Sequence, residues 1–201
     1  MATSIKTIYF DFDGVLAISE SGGRAVSIKL SKETGIDVEK LLSIFKENGR
    51  AFIRGEENVD EFLEKFSSKL GVRITPEQLG NAYSRVPLNK PVFDLFPKIK
   101  ASCSVGLISN NSKFRFDILK EKRILDIWAV FDKVYVSAIL HEFKQNFILE
   151  FKDKGSSVLI DNDPKFLEEV SKAGMNIIYY DSLKHNVNYL LKEFRKLGIK
   201  I

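Results

Sequence analysis

The sequence predicts an α/β protein: a doubly wound parallel sheet with an all-helical insertion after its first strand. Three observations carry this expectation. From Pro87 onward, short β-branched and aromatic runs alternate with amphipathic segments, the pattern of parallel strands joined by helices on both sheet faces. A separate run of the same kind, Ile5 to Phe12, stands near the start and stops at Asp13-Gly14. Between the two regions, apolar residues recur every three or four positions from Arg24 to about Tyr83, which is helical spacing.

Taken in order, Ile5 to Phe12 reads as a buried strand ending in a tight turn. The insertion follows, with Leu41, Leu42 and Phe45, then Phe62, Leu63, Phe66 and Leu70, on helix faces. Asn58 with Glu61, and Thr75 with Gln78, have the spacing that satisfies free amides at a helix start, and Gly35 and Gly71 stand where helices end. Further strands are expected near 104–108, 133–136, 157–160 and 176–180. Helices are expected to begin near Val92, Ser112, Phe143 and Pro164, with a last one from about Asn186 to Leu197. Residues 1–18 and 88–201 are thus expected to form the α/β core, and 19–87 the helical insertion.

Composition narrows the function classes. The 201 residues are 44% hydrophobic and 29% charged, which fits a globular protein and excludes a disordered, collagenous or disulfide-scaffold chain. The net charge of +4 and a pI near 9.0 are not a nucleic-acid footprint, because the excess sits in Lys184 to Ile201, on the outer face of the expected last helix. Cys103 is the one cysteine, so no internal disulfide forms and it reads as a small buried residue. No apolar run approaches the ~18 residues of a membrane-spanning helix. With no secretory pattern in Met1 to Phe10, a cytoplasmic protein without membrane or nucleic-acid partners is expected. The sequence carries no mark of oligomeric state.

Ligands of an open parallel sheet bind beyond the carboxyl ends of its strands. The expected strand ends are polar: Asp11-Phe12-Asp13-Gly14, Ser109-Asn110-Asn111 and Asp161-Asn162-Asp163. Three converging carboxylates repel one another, so a cation or a shared proton is needed among them. A hard divalent ion with oxygen ligands suits such a set, and Mg²⁺ takes one or two carboxylates plus waters.

These residues resemble a known family. Phe10-Asp11-Phe12-Asp13-Gly14-Val15-Leu16 is similar to the first motif of the haloacid-dehalogenase-like (HAD-like) hydrolase superfamily. Gly106-Leu107-Ile108-Ser109-Asn110 and Val158-Leu159-Ile160-Asp161-Asn162 resemble its later strand-ending motifs, in the same order. Ser137 and Lys144 keep the spacing of the intervening motif, while the usual Gly and Pro are His141 and Gln145. Lys152 and Lys154 are the alternative lysines, but they fall at a helix end or in the turn before a strand. Phe52-Ile53-Arg54-Gly55-Glu56 leading to Val59-Asp60-Glu61-Phe62 looks like the superfamily's small helical cap.

The resemblance implies a Mg²⁺-dependent phosphomonoester hydrolase acting on a small soluble phosphate ester through an aspartyl-phosphate. Asp11 would be the nucleophile and Asp13 the acid and base. Ser109, the Asn110 amide at the start of the next helix, and Lys144 would bind the phosphoryl group. Asp11, the Asp13 carbonyl and Asp161 would hold Mg²⁺, with Asn162 orienting a metal-bound water or Asp163 adding a carboxylate. Lys165 is expected to face solvent. Arg54 is the cap residue best placed by sequence to meet an anionic substrate. Asp13 argues against a dehalogenase, because a halide needs no proton to leave. A sugar phosphomutase, or a relative that binds a phosphorylated ligand without turning it over, are the alternatives.

Overall fold

The computed structural model describes residues 4–201, so the first three residues of the expected core lie outside the described residues. The chain runs from β1 (Thr7–Phe10) into four helices, α1 (Gly22–Thr34), α2 (Val38–Ile53), α3 (Val59–Leu70) and α4 (Pro76–Ser84). It returns through α5 (Lys90–Phe93) and α6 (Phe96–Lys100) to β2 (Ser104–Ser109), α7 (Lys113–Glu121), α8 (Ile127–Val130) and β3 (Lys133–Val136). Then come α9 (Ser137–Leu140), α10 (Lys144–Phe147), β4 (Ser157–Asp161), α11 (Pro164–Lys172), β5 (Asn176–Tyr179) and α12 (Val187–Lys196).

The five strands form one all-parallel sheet in the order β3-β2-β1-β4-β5, the α/β architecture expected from the sequence. β1 is central, with Phe10 beside Leu107 of β2 and Ile160 of β4. Its alternate side chains enter two different cores. Ile8 and Phe10 join Val92, Phe96, Phe116, Leu190 and Phe194 on one face, while Tyr9 joins Ile108, Leu159, Phe166 and Val170 on the other. Burial on both faces is why these strands are continuous apolar runs. In α12, Leu190 and Phe194 are fully buried, each contributing roughly 1.5–3 kcal/mol, and its basic residues stay outside.

Helices α1 to α4 have an apolar core of their own, centred on Phe45, Phe62 and Phe66. Phe52 and Phe62 stack with ring centroids 4.5 Å apart. Capping boxes at Asn58/Glu61 and Thr75/Gln78 start α3 and α4, and left-handed Gly35 and Gly71 end α1 and α3. Where the chain leaves the sheet and where it returns, the two crossings are bonded side by side. Ile18 N donates to Pro87 O at 2.8 Å and Asn89 N to Leu16 O at 2.7 Å.

Three expectations are corrected. The helix expected from Val92 is two short ones, α5 and α6, with Pro91 and Pro97 in their first turns. The helix expected at Phe143 is the single turn α10 followed by a 3₁₀ stretch, Ile148–Glu150. The reason is packing: Phe147 and Phe151 close with Tyr9 and Tyr135 over that end of the sheet, covering the area a longer helix would cover. Cys103 is half-buried rather than buried, its thiol 3.4 Å from the Ile5 carbonyl. No helix among the described residues is long and apolar enough to cross a membrane.

Phe62 touches three other phenylalanines and is fully buried. Phe62→Ala is expected to destabilise the protein by about 3–5 kcal/mol, measured by chemical denaturation.

Candidate active site

The strand ends of the central sheet converge on a cleft of about 450 Å³ lined on one side by Asp11, Asp13, Ser109, Lys144 and Asp161. Asp11 leaves β1 directly, and its position is set by Phe12, which is buried beneath it and donates its amide to Asp11 Oδ1 at 2.7 Å. Asp161 is the last residue of β4 and is fully buried, with Oδ1 accepting from the Asp163 amide at 2.9 Å. Lys144 joins the two carboxylates, with Nζ 2.8 Å from Asp11 Oδ2 and 2.6 Å from Asp161 Oδ2. All three side chains are at least nine-tenths buried.

Charge in this triad is unevenly shared. Burial pushes the Asp11 carboxyl up to about 7, with Lys144 opposing the rise and Asp161 adding to it. Burial alone would lower the Lys144 pKa, but Asp11 and Asp161 outweigh it and hold the ammonium charged. One buried cation is therefore set against two buried carboxylates, and the site is short of positive charge.

The lysine is fixed by a residue expected elsewhere in the mechanism. Asn110 accepts from the Lys144 amide through Oδ1 at 2.8 Å and donates through Nδ2 to Gln145 Oε1 at 2.9 Å. The amide of Asn110 is not at a helix start, because Ser112 is the N-cap of α7 and helix begins at Lys113. Gln145, which stands where the resemblance has Pro, thus gains an amide partner that a proline could not supply.

Asp13 is held by Arg115, which the sequence reading missed, and by Asn111, which it placed at a strand end without a role. Arg115 Nη1 lies 2.6 Å from Asp13 Oδ2, and Asn111 Nδ2 donates to the same oxygen at 2.9 Å. Arg115 is about 1% exposed, with its guanidinium 4.7 Å from the Phe12 ring and 5.1 Å from Tyr83. Asp13 Oδ1 is buried with no partner. The available signal was Arg115 in the apolar register of α7, one residue before Phe116 and four before Leu119. Asn111 also donates to Ser109 Oγ at 3.2 Å, and its backbone amide donates to Ser137 Oγ at 2.9 Å. Ser137 in turn donates to the Ile53 carbonyl at 2.7 Å, tying the end of α2 to the sheet edge.

The remaining expected residues stand at the margin of the cleft or outside it. Asn162 donates to the Glu20 carbonyl at 3.2 Å and packs on Gly14, whose φ of 84° and contact with the Asn162 amide leave no space for a Cβ. It also lines the cleft beside Asp161. Asp163 caps α11, accepting from the amides of Lys165 and Phe166 through Oδ1, and also lines the cleft. Lys165 faces solvent. Arg54 is not among the residues lining the cleft. It pairs with Glu56 and lies 5.8 Å from the Phe143 ring, on the flank where the α2 terminus turns through Gly55.

The arrangement can hold a hard cation. No group of three or more Asp, Glu, His or Cys side chains among the described residues is placed to bind a metal. Mg²⁺ does not need one, since one or two carboxylates and waters suffice. Asp11 and Asp161 would provide the carboxylates, the Asp13 carbonyl takes no backbone amide among the described residues, and the unmet negative charge would supply the drive.

With this geometry described, likeness to solved structures becomes informative. The chain superposes on a predicted HAD-like family hydrolase of Porphyromonas gingivalis with a TM-score of 0.78, 23% identity, and coverage of 96% of this chain and 99% of that one. The chain has the HAD-like fold. A HAD family enzyme of Bacteroides thetaiotaomicron, solved with magnesium and inorganic phosphate, is similar at TM-score 0.73 and 16% identity, covering 93% of this chain and 99% of that one. The L-2-haloacid dehalogenase of Xanthobacter autotrophicus, with chloropropionic acid covalently bound, has the same HAD-like fold at TM-score 0.59 and 14% identity, covering 98% and 85%. No family model and no curated protein matches the sequence.

The raised Asp11 pKa makes a stability prediction. An unfolded Asp titrates near 3.8, so between about pH 4 and 7 the folded chain binds more protons than the unfolded one. Asp11 therefore withdraws stability progressively as pH rises through that window. In metal-free buffer, Asp11→Asn is expected to melt above the wild type at pH 8, with the gap closing towards pH 4. Thermal melts across that range measure it.

Proposed function

We propose that this protein is a Mg²⁺-dependent phosphomonoester hydrolase that works through an aspartyl-phosphate on Asp11. The observation carrying this reading is the shared cleft of a buried Asp11 joined to Asp161 by Lys144, with a second acid, Asp13, two residues along the chain. The similar Bacteroides enzyme solved with magnesium and phosphate supports the same chemistry. In this reading residues 1–18 and 88–201 are the catalytic core and residues 19–87 the cap. The separate apolar core of α1 to α4 and the paired crossings at Ile18 and Pro87 support that division.

An Asp11 carboxylate oxygen attacks phosphorus in line, and the bond to the ester oxygen breaks. Asp13 gives its proton to the departing alkoxide, through the Oδ1 atom that no protein group occupies. Asp13 then takes a proton from water as its oxygen attacks phosphorus, releasing phosphate and restoring Asp11. Ser109 donates a hydrogen bond to a phosphoryl oxygen, and Lys144 stabilises its charge. Asn110 keeps Lys144 in register and Arg115 keeps Asp13 oriented. Asp11, Asp161 and the Asp13 carbonyl would hold Mg²⁺, which supplies positive charge to the phosphoryl group.

Assayed with Mg²⁺ over a broad panel of phosphate esters, the wild type is expected to release phosphate. Asp11→Asn should lower kcat on the order of 10⁴-fold or more, the scale of loss on removing a nucleophile. Asp13→Asn should lower it as well. Undiminished turnover by Asp11→Asn would overturn the assignment.

A further inference from the structure

The cleft has two unlike walls. The sheet edge is polar, as described, whereas the facing wall contributed by α1, α2 and α4 presents Val26, Phe45, Gly49, Phe52, Ile53 and Tyr83. Besides the Tyr83 hydroxyl, polar groups on that side are confined to the start of α1, at Glu20, Ser21, Gly22 and Gly23. Ser21 caps α1 and Glu20 pairs with Arg24. Lys46 and Arg50, the basic residues of α2 nearest by, line an adjoining outer cavity that shares Phe45, Gly49 and Ile53 with this cleft.

Gly49 decides what this wall is for. It lies inside α2, one turn from Phe45 and one turn from Ile53, where glycine is less favourable than alanine. Packing does not require it: a Cβ would meet only Phe45 Cδ1 and Ile53 Cδ1, each at 3.9 Å, which is ordinary contact. The absent side chain leaves a slot floored by backbone and edged by Phe45 and Ile53, open to the same cleft as Asp11.

We propose that this slot receives the leaving group of the phosphate ester, and that the group is a flat, uncharged, apolar ring rather than a polyhydroxylated sugar. The proposal rests on reading the sheet edge as a phosphoryl site. Sugar hydroxyls pressed against this wall would give up water without gaining a partner. An aromatic ring gains contact with Phe45 and Phe52 and removes apolar surface from water. The cleft volume of about 450 Å³ is within the usual range for small-ligand sites.

The test is binding of phosphonates, which are not hydrolysed, measured by calorimetry with Mg²⁺ present. Wild type should bind benzylphosphonate at least about tenfold more tightly than methylphosphonate, and Gly49→Leu should bring that ratio near one. Gly49→Ala should fold and melt about 2–4 °C higher than wild type. Equal affinities in the wild type, tighter binding of a sugar phosphonate, or a lower melting point for Gly49→Ala would each overturn the slot. If benzylphosphonate is preferred but no ester is hydrolysed, the slot stands and the hydrolase reading fails. If esters are hydrolysed without the preference, the slot alone fails. Failure to bind either probe overturns both.

Discussion

The ammonium of Lys144, stripped of water between Asp11 and Asp161, is the contact on which the rest of this molecule's chemistry depends. Taking charged groups out of solvent is costly, and removing the lysine from such a set typically costs about 3–5 kcal/mol because the buried carboxylates are left without their cation. The surroundings are arranged to hold the set together. The Phe12 and Asp163 amides each take one carboxylate oxygen, and Asn110 pins the backbone that carries the lysine. Even so, the negative charge is in excess. That is a poor design for stability and a suitable one for receiving a cation and a phosphoryl group.

A second network carries the acid. Asn111 touches Asp13, Ser109, Arg115 and, through its backbone, Ser137, whose hydroxyl reaches the last turn of α2. The helical wall over the cleft is thereby held in register with Asp13 beneath it. Placement of the ring slot and placement of Asp13 are linked by hydrogen bonds rather than by apolar packing alone.

Much of this was legible in the sequence where the information is local. Asp11, Asp13, Ser109 and Asp161 each follow an apolar run at a strand end, so the rule that ligands gather at the carboxyl edge locates them together. Lys144 could be chosen over Lys152 and Lys154 for the same reason. The roles of Arg115 and Asn111 were not legible, because they depend on which way the chain from Asn111 into the first turn of α7 faces once packed on Phe12 and Tyr83. The long helix expected after Phe143 failed on a tertiary contact too, since four aromatic rings cover the sheet there. Arg54 was chosen for its loop position, but the turn at Gly55 directs it towards Glu56 and Phe143.

The two bonded crossings at Ile18 and Pro87 have a consequence for how this architecture can vary. To the sheet, everything between those residues is a single excursion whose ends are joined by two backbone hydrogen bonds. The entropy of closing such an excursion grows only with the logarithm of its length. Helices can therefore be lengthened, exchanged or lost there at little expense to the strands beneath. The slot-bearing wall is the part of the molecule most free to diverge while the carboxylates stay where they are.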